Sequence, residues 1–181
     1  RLKDLNNDGI IDNLDREHIG SYQPKFIIGH NYAVSWKNWD ASIDLFSLLG
    51  SKVYNAKKGI RFGSNYNVEL EVAKNRWVPG SNENKNPRAS NSTPYPSDYF
   101  VESGSFFRIN NVTIGYKLEA GKFWNAIEQF RLFVGAQNPL LLTKYTGFTP
   151  ELPGNQNESG IELNIYPVSA VFLFGLNVTF K

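Results

Sequence analysis

Neither cysteine nor methionine occurs among the 181 residues. Without cysteine the chain has no disulfide, no thiol nucleophile and no zinc-thiolate site. The compartment stays open on that ground, because many exported bacterial proteins also lack cysteine. The formal charge is only +2, from 19 basic and 17 acidic residues, so there is no basic footprint for nucleic acid. No apolar run approaches the roughly 18 residues of a transmembrane helix, so a membrane role must come through strands. The opening RLKDLNNDG has neither Met nor an apolar core of the kind a signal peptide carries, and Arg1 reads as a cut end inside a longer protein. Catalytic constellations are missing as well. Asp40, Asp44, Glu102 and Glu151 have no acid/base spacing, and there is no Ser-His-Asp set, metal-hydrolase motif or phosphate loop. The chain reads as no enzyme.

What is abundant is aromatic. Four Trp, nine Tyr and thirteen Phe stand beside fifteen Gly, a mixture that suggests exposed β-structure with aromatic rims. The last stretch, VSAVFLFGLNVTFK (168–181), places Val168, Ala170, Phe172, Phe174, Leu176, Val178 and Phe180 at every second position, which is the period of a strand with one apolar face. It exceeds the usual strand of about 5–6 residues and matches the roughly 9–11 tilted residues that cross a bilayer. Two more such stretches, Lys25–Trp36 and Trp39–Gly50, flank the short connection Lys37-Asn38 and predict a hairpin. Ser105–Leu118 changes apolar phase at Asn110-Asn111, as a β-bulge does, and Phe130–Gln137 is a further strand. Ser51–Gly104 reads as one long loop with a short helix near Val68–Asn75, Glu119–Gln129 as a short interfacial turn, and Asn138–Ile165 as a second long loop. The predicted fold is all-β: an antiparallel up-and-down meander of about five long strands. The connections run short, long, medium, long, which suits an outer-membrane barrel with its long loops outside.

Asp4–Asp15, DLNNDGIIDNLD, follows the spacing of a calcium loop. A hard cation takes six to eight oxygens. Asp4, Asn6 and Asp8 stand at loop positions one, three and five, and Gly9 permits the sharp turn. Ile10 would offer its carbonyl, Asp12 would bind directly or through water, and Asp15 would close the loop. Asp replaces the usual Glu there, and no amphipathic helix precedes the loop, so a single weak Ca²⁺ site is expected rather than a paired one. An Asx-rich turn without an ion is the alternative. His30, alone on a strand face, and the Trp36/Trp39 pair each have a packing explanation; the pair also suits a membrane-interface belt. Four Asn-x-Ser/Thr sequons begin at Asn91, Asn111, Asn157 and Asn177, two of them inside predicted strands, and are read as accidental.

The segments DLNNDGIID, LLGSKVYNA, RW…NPR, SDYFVESGSFFRINNVTIGY, RLFVGAQNPLLLTKYTGFTPEL and YP…FGLNVTF, in this order, resemble the C-terminal region of SusC/RagA-type TonB-dependent outer-membrane transporters. The resemblance covers nearly the whole chain. It implies a plugged barrel of about 22 strands in the bacterial outer membrane that imports oligosaccharides or peptides. A SusD-like surface lipoprotein would serve as lid, and TonB would act through an N-terminal part absent here. Such barrels commonly end on an aromatic residue, whereas here Lys181 follows Phe180. Under this reading 1–24 is an extracellular calcium-loop-like segment, and 25–181 holds barrel strands with extracellular loops at 51–104 and 138–165. Outer-membrane lipid and a glycan or peptide ligand are the expected contacts. Tyr54, Trp77, Tyr95, Tyr145 and Phe148 are loop anchors or sugar-stacking rings. The competing reading is a secreted, calcium-stabilised β-sandwich that binds carbohydrate, in which the apolar faces meet each other instead of lipid. Calcium titrated calorimetrically into the chain should release heat that an Asp4→Ala, Asp8→Ala variant does not; equal heats from both remove the calcium site.

Overall fold

A computed structural model describes residues 2–60, 67–80, 86–90, 95–119, 126–152, 159–163 and 165–181. In chain order the strands are β1 (Phe26–Trp36), β2 (Trp39–Leu49), β3 (Lys52–Asn55), β4 (Val101–Ser103), β5 (Phe106–Glu119), β6 (Ile127–Thr143), β7 (Ile161–Glu162) and β8 (Val171–Phe180). Two short helices, α1 (Ala56–Ile60) and α2 (Leu70–Lys74), and 3-10 turns at Asn13–Asp15 and Asp98–Phe100 complete the described elements. The chain forms two compact units. One holds residues 24–50, 104–144 and 166–181, and the other 1–23, 51–103 and 145–165. The second unit unites the N-terminal segment with the two long loops, a grouping that differs from the division at residue 24 expected above.

The first unit is a five-stranded antiparallel meander in the order β1-β2-β5-β6-β8. All five long strands expected from periodicity are present, with altered ends. The last begins at Val171 rather than Val168. The strand expected to stop at Gln137 runs on to Thr143, so the second long loop starts later than residue 138. Proline normally ends a central strand because it has no N–H to donate. Here Asn110 on β5 and Asn138-Pro139 on β6 are skipped together, between the pairs Ile109↔Leu140 and Asn111↔Gln137. Asn138 has φ 49°, a left-handed conformation that Asn tolerates better than most residues. The proline therefore sits in a bulge and the ladder resumes beyond it. On β5 the extra residue Asn110 places Ile109 and Val112 on one face, which explains the phase change in the sequence. Its side-chain oxygen accepts a hydrogen bond from Arg108 Nε at 2.6 Å. The expected turn at 119–129 lies largely outside the described residues.

The second unit corrects the reading of 51–104 as one long loop with a single short helix. Strand β3 pairs antiparallel with β4 and parallel with β7, making a small sheet over a core of its own. Val53 and Phe100 are buried, and Phe100 meets the rings of Tyr54 at 5.7 Å and Tyr99 at 5.0 Å, the latter edge-on. The N-terminal segment is stitched to this sheet by Lys52 N–H donating to Ser21 O at 2.8 Å. Gly160 has φ +78°, and a Cβ there would lie 2.4 Å from Tyr22 Cβ. Only glycine fits that crossing without displacement. The expected helix near 68–75 is present as α2. Replacing Phe100 by Ala should cost about 3–5 kcal/mol, the usual range for a buried aromatic. Proteolysis in folded membranes should then cut residues 51–103 faster while the five-stranded sheet stays protected.

Candidate functional site

The pairing registers assign every side chain of the meander to one of two faces. On one lie Phe26, Ile28, Tyr32, Val34 and Trp36 of β1; Trp39, Ile43 and Leu45 of β2; and Ile109, Val112, Ile114 and Tyr116 of β5. The same face continues through Leu132, Val134 and Leu140 of β6 and Phe172, Phe174, Leu176 and Val178 of β8. Its polar interruptions on the paired positions are His30 and Ser47. This apolar side is uncovered: Phe174 is 89% and Phe172 77% exposed. Continuous exposure of this extent marks a surface made for an apolar environment. At the hairpin end Trp36 pairs with Trp39, and Trp39 packs on Tyr116 with ring centroids 4.7 Å apart. Rings of this kind, apolar with one polar atom, settle at membrane interfaces.

The opposite face carries the charged and amide side chains of the meander, and these bond to one another. Arg131 Nε donates to Asp40 Oδ1 at 3.0 Å, across β2, β5 and β6. Gly115 lies between them, and a Cβ there would stand 2.6–2.8 Å from the guanidinium. Asp44 accepts from Asn31 Nδ2 and from Asn111 Nδ2, the latter at 3.2 Å. Thr113, Gln129, Gln137, Asn177 and Thr179 occupy the same side. Apolar side chains share this face as well: Phe46, Leu48, Phe106, Leu141 and Leu173, and Phe133, whose ring lies over Gly175, where a Cβ would meet it at 2.6 Å. A sheet apolar outside and polar inside is the side-chain pattern of an outer-membrane barrel wall around an aqueous or plugged lumen.

In the second unit, sequence reasoning missed the residue that ties the loops together. Glu102, on β4, receives Lys58 Nζ at 2.6 Å, Asn55 Nδ2 at 3.0 Å, and both the N–H and the hydroxyl of Thr146 at 2.8 Å. Burial pushes the Glu102 carboxyl up, but Lys58, Thr146 and Asn55 together outweigh it and hold the group below the usual carboxylate range. Close by in sequence, the Tyr145 hydroxyl donates to Glu162 Oε2 at 3.0 Å. Burial first, then that hydrogen bond, raises the Tyr145 pKa far above the ordinary phenol value, so it stays a neutral donor. No spacing in the sequence could have paired residues 55, 102 and 146; the β3–β4 pairing brings Asn55 near Glu102, and the turn after β6 delivers Thr146 to it.

The calcium-like residues fold as a local turn. Asp4 caps Asn7 N–H at 2.6 Å and Gly9 N–H at 2.8 Å. Asp8 accepts from Ile10 N–H, and Asp12 from Leu14 N–H. Asp15 accepts from Leu5 and Asp12 N–H, and these backbone donors, Asp12 first, lower its pKa. Asn6 Nδ2 donates to Asp8 at 2.8 Å, while Ile10 is exposed. Gly9, at φ +83°, makes the sharp turn. The donor types suit a hard cation, but as folded the carboxylates serve backbone N–H groups. Among the described residues no three acidic or histidine side chains converge on one point. Of the candidate stacking rings, Tyr145 is buried and Tyr54 half-buried, whereas Trp77, Tyr95 and Phe148 are exposed. Lys57 Nζ lies 3.6 Å over the Phe148 ring. His30 stacks on Tyr32 at 6.0 Å.

No protein-family model matches the chain. It is 29% identical over 185 aligned positions to TonB-dependent receptor P3 of Formosa agariphila, covering 98% of this chain and 18% of that receptor. Against TonB-dependent receptor SusC of Bacteroides thetaiotaomicron the figures are 29%, 98% and 17%. TonB-dependent receptor P26 of Formosa agariphila is 30% identical over 99% of this chain and 19% of its own length. The chain is similar over nearly its whole length to one part of these TonB-dependent receptors, SusC among them. The SusC-like reading extends to the fold. The structure of the RagAB peptide transporter superposes on 89% of the chain with TM-score 0.73 and 25% identity, over 18% of that protein. The closed-closed RagAB peptide importer gives 0.71 and 23%. The chain thus spans under a fifth of the SusC-like receptors it matches. All are named receptors, transporters or importers and none an enzyme, in agreement with the sequence reading.

Glu102 generates a pH prediction for this SusC-like segment. Its folded pKa is depressed, so its contribution is present above its ordinary value of 4.5 and is lost as pH falls through the folded value. Glu102→Gln should remove about 1–3 kcal/mol of local stability at neutral pH and abolish the acid sensitivity. Hydrogen exchange at residues 53–58 and 145–149 is the readout.

Proposed function

We propose that the chain forms wall and external loops of a TonB-dependent transporter in the bacterial outer membrane that imports oligosaccharides or peptides. The observation that carries this reading is the apolar face that crosses five hydrogen-bonded strands, broken at paired positions only by His30 and Ser47, with the bonded charged and amide side chains on the other face. The sandwich alternative calls for the apolar faces to cover each other, and Phe172 and Phe174 remain exposed. Edge strands β1 and β8 leave one side of their ladders open, which hydrocarbon does not tolerate unless further strands close a barrel. The remaining strands and a lumen plug are assigned to a longer protein. A SusD-like lipoprotein over the loop unit and TonB on the inner side complete the proposed assembly. SusC among the relatives supports the lipoprotein, and the receptors' names support TonB. Calcium at Asp4–Asp15 belongs to the proposal on the strength of its spacing.

Cells deleted for the full-length transporter should lose uptake of labelled oligosaccharides or of labelled oligopeptides, with the affected class naming the substrate. Unchanged uptake of both classes overturns the transport reading. The purified protein should require detergent; a detergent-free, cooperatively folding monomer overturns the membrane wall.

A further inference from the structure

One row on the face that carries the charged and amide side chains is made of hydrogen-bonding groups across four strands. The registers set Asn31, Asp44, Asn111 and Gln137 side by side on β1, β2, β5 and β6, with a step of about 4.8 Å from one to the next. Asn31 Nδ2 and Asn111 Nδ2 both donate to Asp44, so these three side chains hold one another in place. Asn31, Asn111 and Gln137 are exposed. What the row still offers is its amide oxygens, the remaining carboxylate lone pairs and the uncommitted amide N–H groups, with acceptors in excess. The rows beside it differ in height. Above stand Phe46 and Arg108, the guanidinium 5.8 Å over the ring. Below lie the small side chains of Ala33, Ser42 and Thr113. The face rises again two rows below, about 13 Å along the strands, where Asp40 meets Arg131 and the Phe133 ring covers Gly175. Val171 and Leu173 close the β8 end.

Charge and hydrogen-bond chemistry together select the ligand. Charges cancel around the row: Arg108 in the row above stands against Asp44, and Arg131 is bonded to Asp40. Such a surface gives no advantage to a phosphate, sulfate or carboxylate. A row of acceptors mixed with amide N–H groups suits hydroxyls, each of which donates and accepts at one atom. An extended peptide repeats every 3.3–3.4 Å or so, out of step with the row, and its carbonyls would face acceptors. We infer that the row Asn31, Asp44, Asn111 and Gln137 is a binding subsite for an uncharged oligosaccharide, with one sugar ring lying over Ser42 and Thr113 and its hydroxyls on the row. The inference rests on the outer-membrane wall reading, which turns this face to the lumen, and it narrows the transported class proposed above.

The test supplies cells that produce the full-length transporter with labelled malto-, xylo- and fructo-oligosaccharides, labelled oligogalacturonates and labelled oligopeptides. Uptake of an uncharged oligosaccharide is expected. Its half-saturating concentration should rise about tenfold in Asp44→Ala, which removes a charged hydrogen-bond partner, and about threefold in Gln137→Ala, which removes a neutral one. The maximal rate should stay unchanged, the pattern of lost binding. A role in folding alone would lower the maximal rate through fewer transporters and leave half-saturation where it was. Gln137→Ala decides the matter where Asp44→Ala does not assemble, because Gln137 lies at the end of the row outside the Asp44 hydrogen bonds. Unchanged half-saturation in Gln137→Ala overturns the subsite and leaves the transport reading intact. Uptake of oligopeptides or oligogalacturonates alone overturns the assignment to uncharged sugar. No uptake of any class overturns the transport reading and the subsite together.

Discussion

Backbone hydrogen bonding across β2, β5 and β6 is the constraint that everything else in the meander obeys. In hydrocarbon an unpaired N–H or C=O costs several kcal/mol, so the ladder cannot simply stop where the sequence contains a residue unable to continue it. Pro139 is such a residue. The structure accommodates it by skipping Asn138 and Pro139 opposite Asn110 and re-entering register at Gln137↔Asn111. The same device preserves the two faces. Shifting a strand by one residue turns every side chain to the wrong side. The bulges at Asn110 and Asn138-Pro139 absorb that shift, so Ile109 and Val112 remain on the apolar side.

Given that ladder, the two faces can be chemically opposite at a separation of one residue. Asp40 and Arg131 share a face with Thr113 and Asn177, while their immediate neighbours Ala41 and Leu132 point the other way. Close approach on the polar side depends on missing side chains. Gly115 lets the Arg131 guanidinium lie flat against β5, and Gly175 does the same for the Phe133 ring. Small residues among aromatics, a compositional oddity in the sequence, thus have a specific use. The loop unit follows a different logic. It is held by a carboxylate, Glu102, that collects donors from two stretches of chain, 55–58 and 146, and by a small aromatic core around Phe100.

The long strands, the hairpin at Lys37-Asn38 and the bulge near Asn110 were legible because period-2 alternation and phase changes are local properties of a chain. The family resemblance was legible because the ordered motifs from SFFRINNVTIGY to FGLNVTF span the wall. What escaped was the content of 51–104. The unit it forms with 1–23 and 145–165 buries Val53, Phe100 and Tyr145, residues too far apart to form any periodic signal. The extension of β6 to Thr143 also escaped, because Asn-Pro reads locally as a strand end, and only a partner strand with its own extra residue reverses that reading. The Asp4–Asp15 spacing was visible, but the direction of its carboxylates toward backbone N–H groups was not.

Alternation alone therefore established that these strands are two-faced and long enough to cross a bilayer, since burial on one side selects apolar residues at every second position wherever the strand lies. Tertiary structure decided which polar residues meet. Asp40 with Arg131, and Glu102 with Asn55, Lys58 and Thr146, are separated by tens of residues. The first pairing follows from strand order and register in the hydrogen-bonded ladder, and the second from the packing of α1 and the segment after β6 around β4, neither of which any local stretch encodes.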